Sequence, residues 1–236
     1  MRRSGEILHQ VLQAVSRAVV PGVTTMDLER VAEDAIRKSG AQSAFKGYHG
    51  YPACLCTSVN SEVIHGIPSE KCKLAAGDIV SVDCGVILDG FYSDSAVTIP
   101  VGSVKPEIQK LLEVTAHSLE SAISKAQAGA TIGDIGSAVQ QEVEQAGFSV
   151  VRDFVGHGIG RNMHEEPQVP NYGLPGKGPR LREGMVIAIE PMVNAGAPEV
   201  KVLEDGWTAV TVDGKWSAHF EHTVAITAHG PVVLTK

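Results

Sequence analysis

The sequence predicts an α/β domain built from two similar halves, with a curved mixed or antiparallel sheet covered by helices. Three features carry that prediction: an internal repeat, strand pairs of matching pattern in each half, and the lack of a G-x-G-x-x-G loop after any strand. Pro21 to Gly40 (PGVTTMDLERVAEDAIRKSG) aligns without gaps with Ala128 to Gly147 (AGATIGDIGSAVQQEVEQAG), at an offset of 107 residues. Each copy has a small-residue turn, a threonine placed to cap a helix, an acid in the first turn, apolar residues at helical spacing and a closing glycine. GDIVSVD (Gly77 to Asp83) matches GMVIAIE (Gly184 to Glu190) at the same offset of 107. Two separated segments sharing one offset indicate a duplicated unit, packed about a pseudo-twofold axis. The missing glycine loop argues against a dinucleotide-binding fold.

Each half reads as helices followed by a strand pair. IVSVDCGVI and FYSDSAVTI are β-branched and flank a turn at Leu88, Asp89 and Gly90, a strong hairpin signal. In the second half MVIAIEPMV reads as one strand. HFEHTVAIT returns after the excursion KVLEDGWTAVTVDGKW, which is expected to hold its own hairpin turning at Asp213-Gly214. Asn171 to Leu181, with three glycines, reads as a surface loop. No linker or low-complexity tract divides the chain, so one catalytic domain over 1–236 is expected, with halves at about 1–105 and 106–236.

Composition narrows the partners. A formal net charge of -7 offers no electrostatic case for nucleic acid as the main ligand. No apolar run is long enough to span a bilayer, so no membrane role is expected. MRRSGEILHQVLQAV reads as an amphipathic helix and not a signal peptide, so a cytoplasmic protein is expected. The cysteines, Cys54, Cys56, Cys72 and Cys84, form no C-x-x-C pair and are expected as reduced thiols.

The chemistry is carried by acids and histidines. Asp83 and Asp94 lie on the two arms of the first hairpin. A turn at Leu88-Asp89 sets them directly opposite; a turn at Asp89-Gly90 makes them diagonal neighbours on one face. Val80, Val82, Cys84 and Val86 take the other face, toward helices. One such hairpin is also explained by surface aspartates. The repeat weighs against that, because Asp83 corresponds to Glu190 inside the apolar MVIAIEPMV, and Glu221 holds in the second hairpin the place of Asp94 in the first. Four converging carboxylates repel one another unless divalent cations neutralise them. His157, in GHGIG, has flanking glycines that are expected to leave its ring accessible. His65 in HGIP shares the HG-I context of His157, which suggests matched positions in the two halves. His164 lies in HEEP, whereas His9, His117 and His229 are given no role. A mixed histidine and carboxylate set suits Mn, Fe, Co or Zn better than Ca or Mg.

NSEVIHGIP, VDCGVILDGFYSD, GHGIGRNMHEEPQVP, AIEPMV and FEHTVAIT, in this order, resemble the type I methionine aminopeptidases of "pita-bread" fold, over nearly the whole chain. The lack of an N-terminal extension resembles the short bacterial form. The resemblance implies two divalent metal ions held by Asp83, Asp94, His157, Glu190 and Glu221, with Glu190 also the general base. It assigns His65 and His164 as catalytic histidines that do not ligate metal. It puts Tyr48, Tyr51, Cys56 and Trp207 around a methionine side-chain pocket, with Met163 where many relatives carry Phe. The implied substrates are N-terminal Met peptides and nascent chains at the ribosome, and a monomer is expected. Two other readings are weighed: a Xaa-Pro aminopeptidase or dipeptidase of the same fold, and a binding module without catalysis. Tyr48, Tyr51 and Trp207 oppose the first; the intact ligand set opposes the second.

Overall fold

The computed structural model describes residues 1–236. In chain order the elements are α1 (Arg2–Ala18), α2 (Thr25–Ser39), β1 (Gln42–Ser43), β2 (Leu55–Val59), β3 (Glu62–Ile64), β4 (Ile79–Leu88) and β5 (Phe91–Pro100). The second half continues with α3 (Pro106–Lys125), α4 (Ile132–Gln145), β6 (Ser149–Val150), β7 (Gly156–Gly158), β8 (Glu165–Val169), β9 (Val186–Ile189) and β10 (Met192–Asn194). It closes with β11 (Val200–Val202), β12 (Ala209–Thr211), β13 (Ser217–His219), β14 (His222–Thr227) and β15 (Gly230–Val233). No helix is long and apolar enough to cross a membrane.

The repeated segments fold alike. Thr24 and Thr131 each cap a helix, with Asp27 and Asp134 reaching back to accept from the N–H and hydroxyl of the capping threonine, and Thr24 Oγ1 also accepts from Asp27 N–H. Thr24 bridges to Lys73 and Thr131 to Arg180, the same pairing 107 residues apart. Gly40 and Gly147 end the two segments at φ 75 and 88°, where a side chain would be strained. Thr131→Ala removes one cap, and is expected to lower unfolding free energy by about 1 kcal/mol in a urea titration.

Every strand pairing is antiparallel. β4 is flanked by β5 on one edge and by β2 and β1 on the other. The second half answers with the order β15-β14-β9-β7-β8, and two three-stranded sheets complete the fold, β13-β10-β6 and β11-β12-β3. Helices α1 and α2 pack on Val80, Val82, Cys84 and Val86 of β4, as the alternation predicts. Helices α3 and α4 pack on Ile187 and Ile189 of β9. Both sheets therefore turn their other faces to the middle of the molecule.

Five expectations need correction. MVIAIEPMV is not one strand: β9 ends at Ile189, and β10 begins at Met192 in a different sheet. Pro191 has no N–H to continue a ladder, so the chain changes sheet there. HFEHTVAIT divides in the same way between β13 and β14. The excursion's hairpin joins β11 to β12 and turns at Glu204 to Gly206, closed by Leu203 N–H donating to the Thr208 carbonyl at 2.9 Å. Asp213-Gly214 instead lies between β12 and β13, which belong to different sheets. His65 and His157 are not matched: His157 pairs with Ala188, which corresponds to Ser81 at the offset of 107, and Ser81 pairs with Ser58. Nor do the glycines of GHGIG expose His157, which is buried. A Cβ at Gly156 would come within 2.4 Å of the Ala188 carbonyl oxygen, and one at Gly158 within 2.2 Å of that of Glu166, so they let β7 pass between β8 and β9.

Candidate metal centre and side-chain pocket

The first hairpin turns at Asp89-Gly90, both at positive φ, in register Leu88 to Phe91. This register pairs Asp83 with Ala96 and Gly85 with Asp94, so the two aspartates are diagonal neighbours on the inner face of β4 and β5. The halves meet beside them. Ala96 and Glu221 exchange backbone hydrogen bonds of 3.4 and 2.9 Å, and Thr223 Oγ1 accepts from Asp94 N–H and donates to its carbonyl. Glu190 and Glu221 sit at the two sheet changes, where the chain leaves one sheet for the next. The pseudo-twofold arrangement thus places four acids around one point.

A cavity of about 370 Å³ opens there. Its walls include Asp83, Asp94, His157, Glu190 and Glu221 at one end, and Tyr48, Tyr51, Cys56, His65, Met163, His164 and Trp207 around the rest. All twelve residues singled out from sequence line this cavity. Phe45 and His49 line it as well and were not anticipated. His219 was also missed. It is buried just behind Glu190, with Nε2 3.6 Å from Glu190 Oε2. Its place in HFEH, two residues before Glu221, was the only signal in the sequence.

The acidic end is short of cations. Burial raises Asp83 to about 7, with His219 drawing it down and Glu190 pushing it up. Burial likewise raises Glu190 to about 7, against the pull of His157. Asp94 and Glu221 are pushed well above the usual carboxylate range, first by burial and then by the neighbouring acids. Asp83 Oδ1, Asp94 Oδ1 and Glu221 Oε1 are buried without a hydrogen-bond partner. Such atoms are costly unless something positive meets them. One donor atom each from Asp94, His157 and Glu221 lies within 4.8 Å of the others. His157 Nδ1 donates to the Gly158 carbonyl at 2.9 Å, which leaves the Nε2 lone pair facing Asp94 and Glu190 at 3.8 and 3.7 Å. A histidine fixed in this tautomer by a backbone carbonyl is prepared to ligate. The donor set fits divalent metal.

The remaining wall is apolar and aromatic. Met163 is buried with Phe45, Tyr51 and Cys56. Trp207 meets the Tyr51 ring edge-on at 5.0 Å, and His65 stands between Phe154 and Trp207. Tyr51 is locked by donating to the carbonyls of Leu55 and Gly66 at 2.9 and 3.0 Å. All four cysteines are free thiols, and Cys56 is held protonated by burial beside Asp83.

Comparison with known proteins decides the family. The profile of metallopeptidase family M24 matches residues 1–228. The chain belongs to this family. Within M24, the methionine aminopeptidase of Clostridium perfringens is 55% identical over 235 residues, covering 100% of this chain and 94% of that protein. The crystal structure of methionine aminopeptidase from Thermotoga maritima superposes with a TM-score of 0.99 at 48% identity, covering 100% of this chain and 95% of that one. The M24 fold is therefore the doubled α/β architecture that the sequence resemblance implied. The prolidase of Pyrococcus horikoshii, at 24% identity and TM-score 0.80, shares the fold alone, and this chain covers 60% of it.

Proposed function

We propose that this M24 metallopeptidase removes N-terminal methionine from peptides and nascent proteins. The observation that carries this reading is one cavity with two ends: a cluster of unpartnered carboxylates with His157, and an apolar socket of Tyr51, Cys56, Met163 and Trp207. The socket has the chemistry to take an unbranched thioether side chain. Relatives of matching length that are named methionine aminopeptidase support it; prolidases share only the fold.

In this reading Asp83, Asp94, His157, Glu190 and Glu221 hold two divalent ions, of Mn, Fe, Co or Zn. When bound, such ions supply Lewis acidity and make water nucleophilic near neutral pH. The chain's residues do the rest. Glu190 takes the proton of the attacking water. His164 donates to the carbonyl oxygen as negative charge develops there. His65, lowered to about 4 by burial and the nearby His219, is neutral at physiological pH and positions the scissile amide. We place the enzyme in the cytoplasm, acting as a monomer on chains leaving the ribosome. Four free thiols agree with a reducing compartment.

The test is release of free methionine from Met-Ala-Ser by metal-stripped protein, with Mn, Fe, Co or Zn added back singly. Metal-dependent release is expected, with no cleavage of a Xaa-Pro peptide. Folded protein that cuts neither with any ion would overturn the proposal, and cleavage of Xaa-Pro alone would favour a prolidase-like specificity. Met163→Ala empties part of the socket. It is expected to lower kcat/KM for Met-Ala-Ser about 10- to 100-fold, while norleucine and methionine substrates keep their relative rates.

A further inference from the structure

Tyr48 stands beside the methionine socket, and its ring is one wall of it. Its hydroxyl has another contact. It lies 2.7 Å from Nδ1 of His164, with the ring centroids 5.4 Å apart. Both partners are held from elsewhere. Tyr48 sits on a short helical turn, Tyr48–Gly50, closed by Gly47 N–H to the Tyr51 carbonyl at 2.8 Å and Tyr51 N–H to the Tyr48 carbonyl at 2.9 Å. The loop before His164 is pinned by the Glu165 carboxylate, which accepts from the N–H groups of Arg161 and Asn162 at 2.8 Å each. The His164 ring packs on His157, with centroids 4.3 Å apart. The contact is therefore made by two hydrogen-bonded loops from opposite halves of the chain.

A neutral imidazole has one donor nitrogen and one acceptor nitrogen. To donate to a carbonyl oxygen through Nε2, His164 must carry its proton there, and Nδ1 must accept. A phenol is a donor that retains its proton far above neutral pH. We propose that Tyr48 is a positioning residue: its O–H donates to His164 Nδ1 and holds the imidazole in the Nε2–H tautomer that meets the substrate carbonyl. Tyr48 then serves two ends of the reaction with different atoms, its ring against the methionine side chain and its hydroxyl behind His164. This inference rests on the assignment of His164 as donor to the carbonyl.

Tyr48→Phe separates the two roles, since it keeps the ring and removes the hydroxyl. In the Co²⁺-loaded enzyme acting on Met-Ala-Ser, kcat is expected to fall about tenfold, the scale of one lost hydrogen bond, with KM within about twofold of the parent. In a His164→Ala background the same change is expected to cost nothing further. Two-bond ¹⁵N–¹H spectra of the diamagnetic Zn²⁺-loaded protein report the tautomer directly and are expected to show His164 as Nε2–H, with His164→Ala identifying its signals. An Nδ1–H tautomer in the parent overturns the proposal, as does full additivity of the two substitutions or a change confined to KM. A His164→Ala enzyme with the parent's kcat overturns the role of His164 and this inference together; a slow His164→Ala with an unimpaired Tyr48→Phe overturns only the inference.

Discussion

On the roles proposed for Glu190, as base and as metal ligand, Glu190→Gln is expected to reduce methionine release at least about a thousandfold, and yet to stabilise the metal-free protein. The two effects have one cause. Burial holds Asp83, Asp94, Glu190 and Glu221 above their usual range, and nearby acids push Asp83, Asp94 and Glu221 further. Several of their oxygens have no partner. Replacing one by a neutral amide of the same shape relieves repulsion that only cations otherwise offset. The checks are a Met-Ala-Ser assay with added metal and thermal melts with and without it. The parent is expected to gain strongly in Tm from metal, and the variant to melt higher when stripped and gain little. A variant destabilised in both states, or one that retains activity, would contradict this account.

The second large effect is a pH dependence that metal reverses. In the stripped protein Asp83 and Glu190 titrate at about 7, against 3.8 and 4.5 for the free side chains. Between these values the folded state binds protons that the unfolded chain has already released. Stability is then greatest below about pH 4 with respect to these groups, and falls as pH rises through 7. The Tm of stripped protein is expected to drop on the order of 10 °C between pH 5 and pH 8. Metal-loaded protein should show the opposite slope over the same range, because cations replace those protons and acid displaces the metal. Equal slopes with and without metal would mean that these carboxylates do not hold it.

How much of this was visible in the sequence depended on the range of the interaction. The helix caps at Thr24 and Thr131 are local features, set by neighbouring residues, and the structure has them at the positions read from the sequence; the hairpin turn is local too, but of the two placements left open, Leu88-Asp89 and Asp89-Gly90, the structure has the second. The side-chain alternation of β4 is local too, and it separates the helix-facing Val82 from the inward Asp83. The convergence of the acids is not local, but the offset of 107 made it legible, since a repeat implies a symmetry axis. What pattern could not provide was the route of each strand between sheets. MVIAIEPMV is apolar enough to be one strand; Pro191 interrupts its ladder, but only the tertiary partners show that β9 and β10 join different sheets.

The sequence alone determined the doubled α/β architecture, the acids and histidines of the candidate centre, and the resemblance that points to its chemistry. The first follows from residue type and spacing along the chain, the second from both spacing and the resemblance, and the third from motifs that the chain shares with a family. Tertiary structure decided the diagonal register of Asp83 and Asp94, the place of His219 behind Glu190 and the contact of Tyr48 with His164. Those are meetings of residues as many as 116 positions apart. The first is set by which residues are central in the β4–β5 turn, the second by the return of the chain within the second half, and the third by how the two packed halves close on each other.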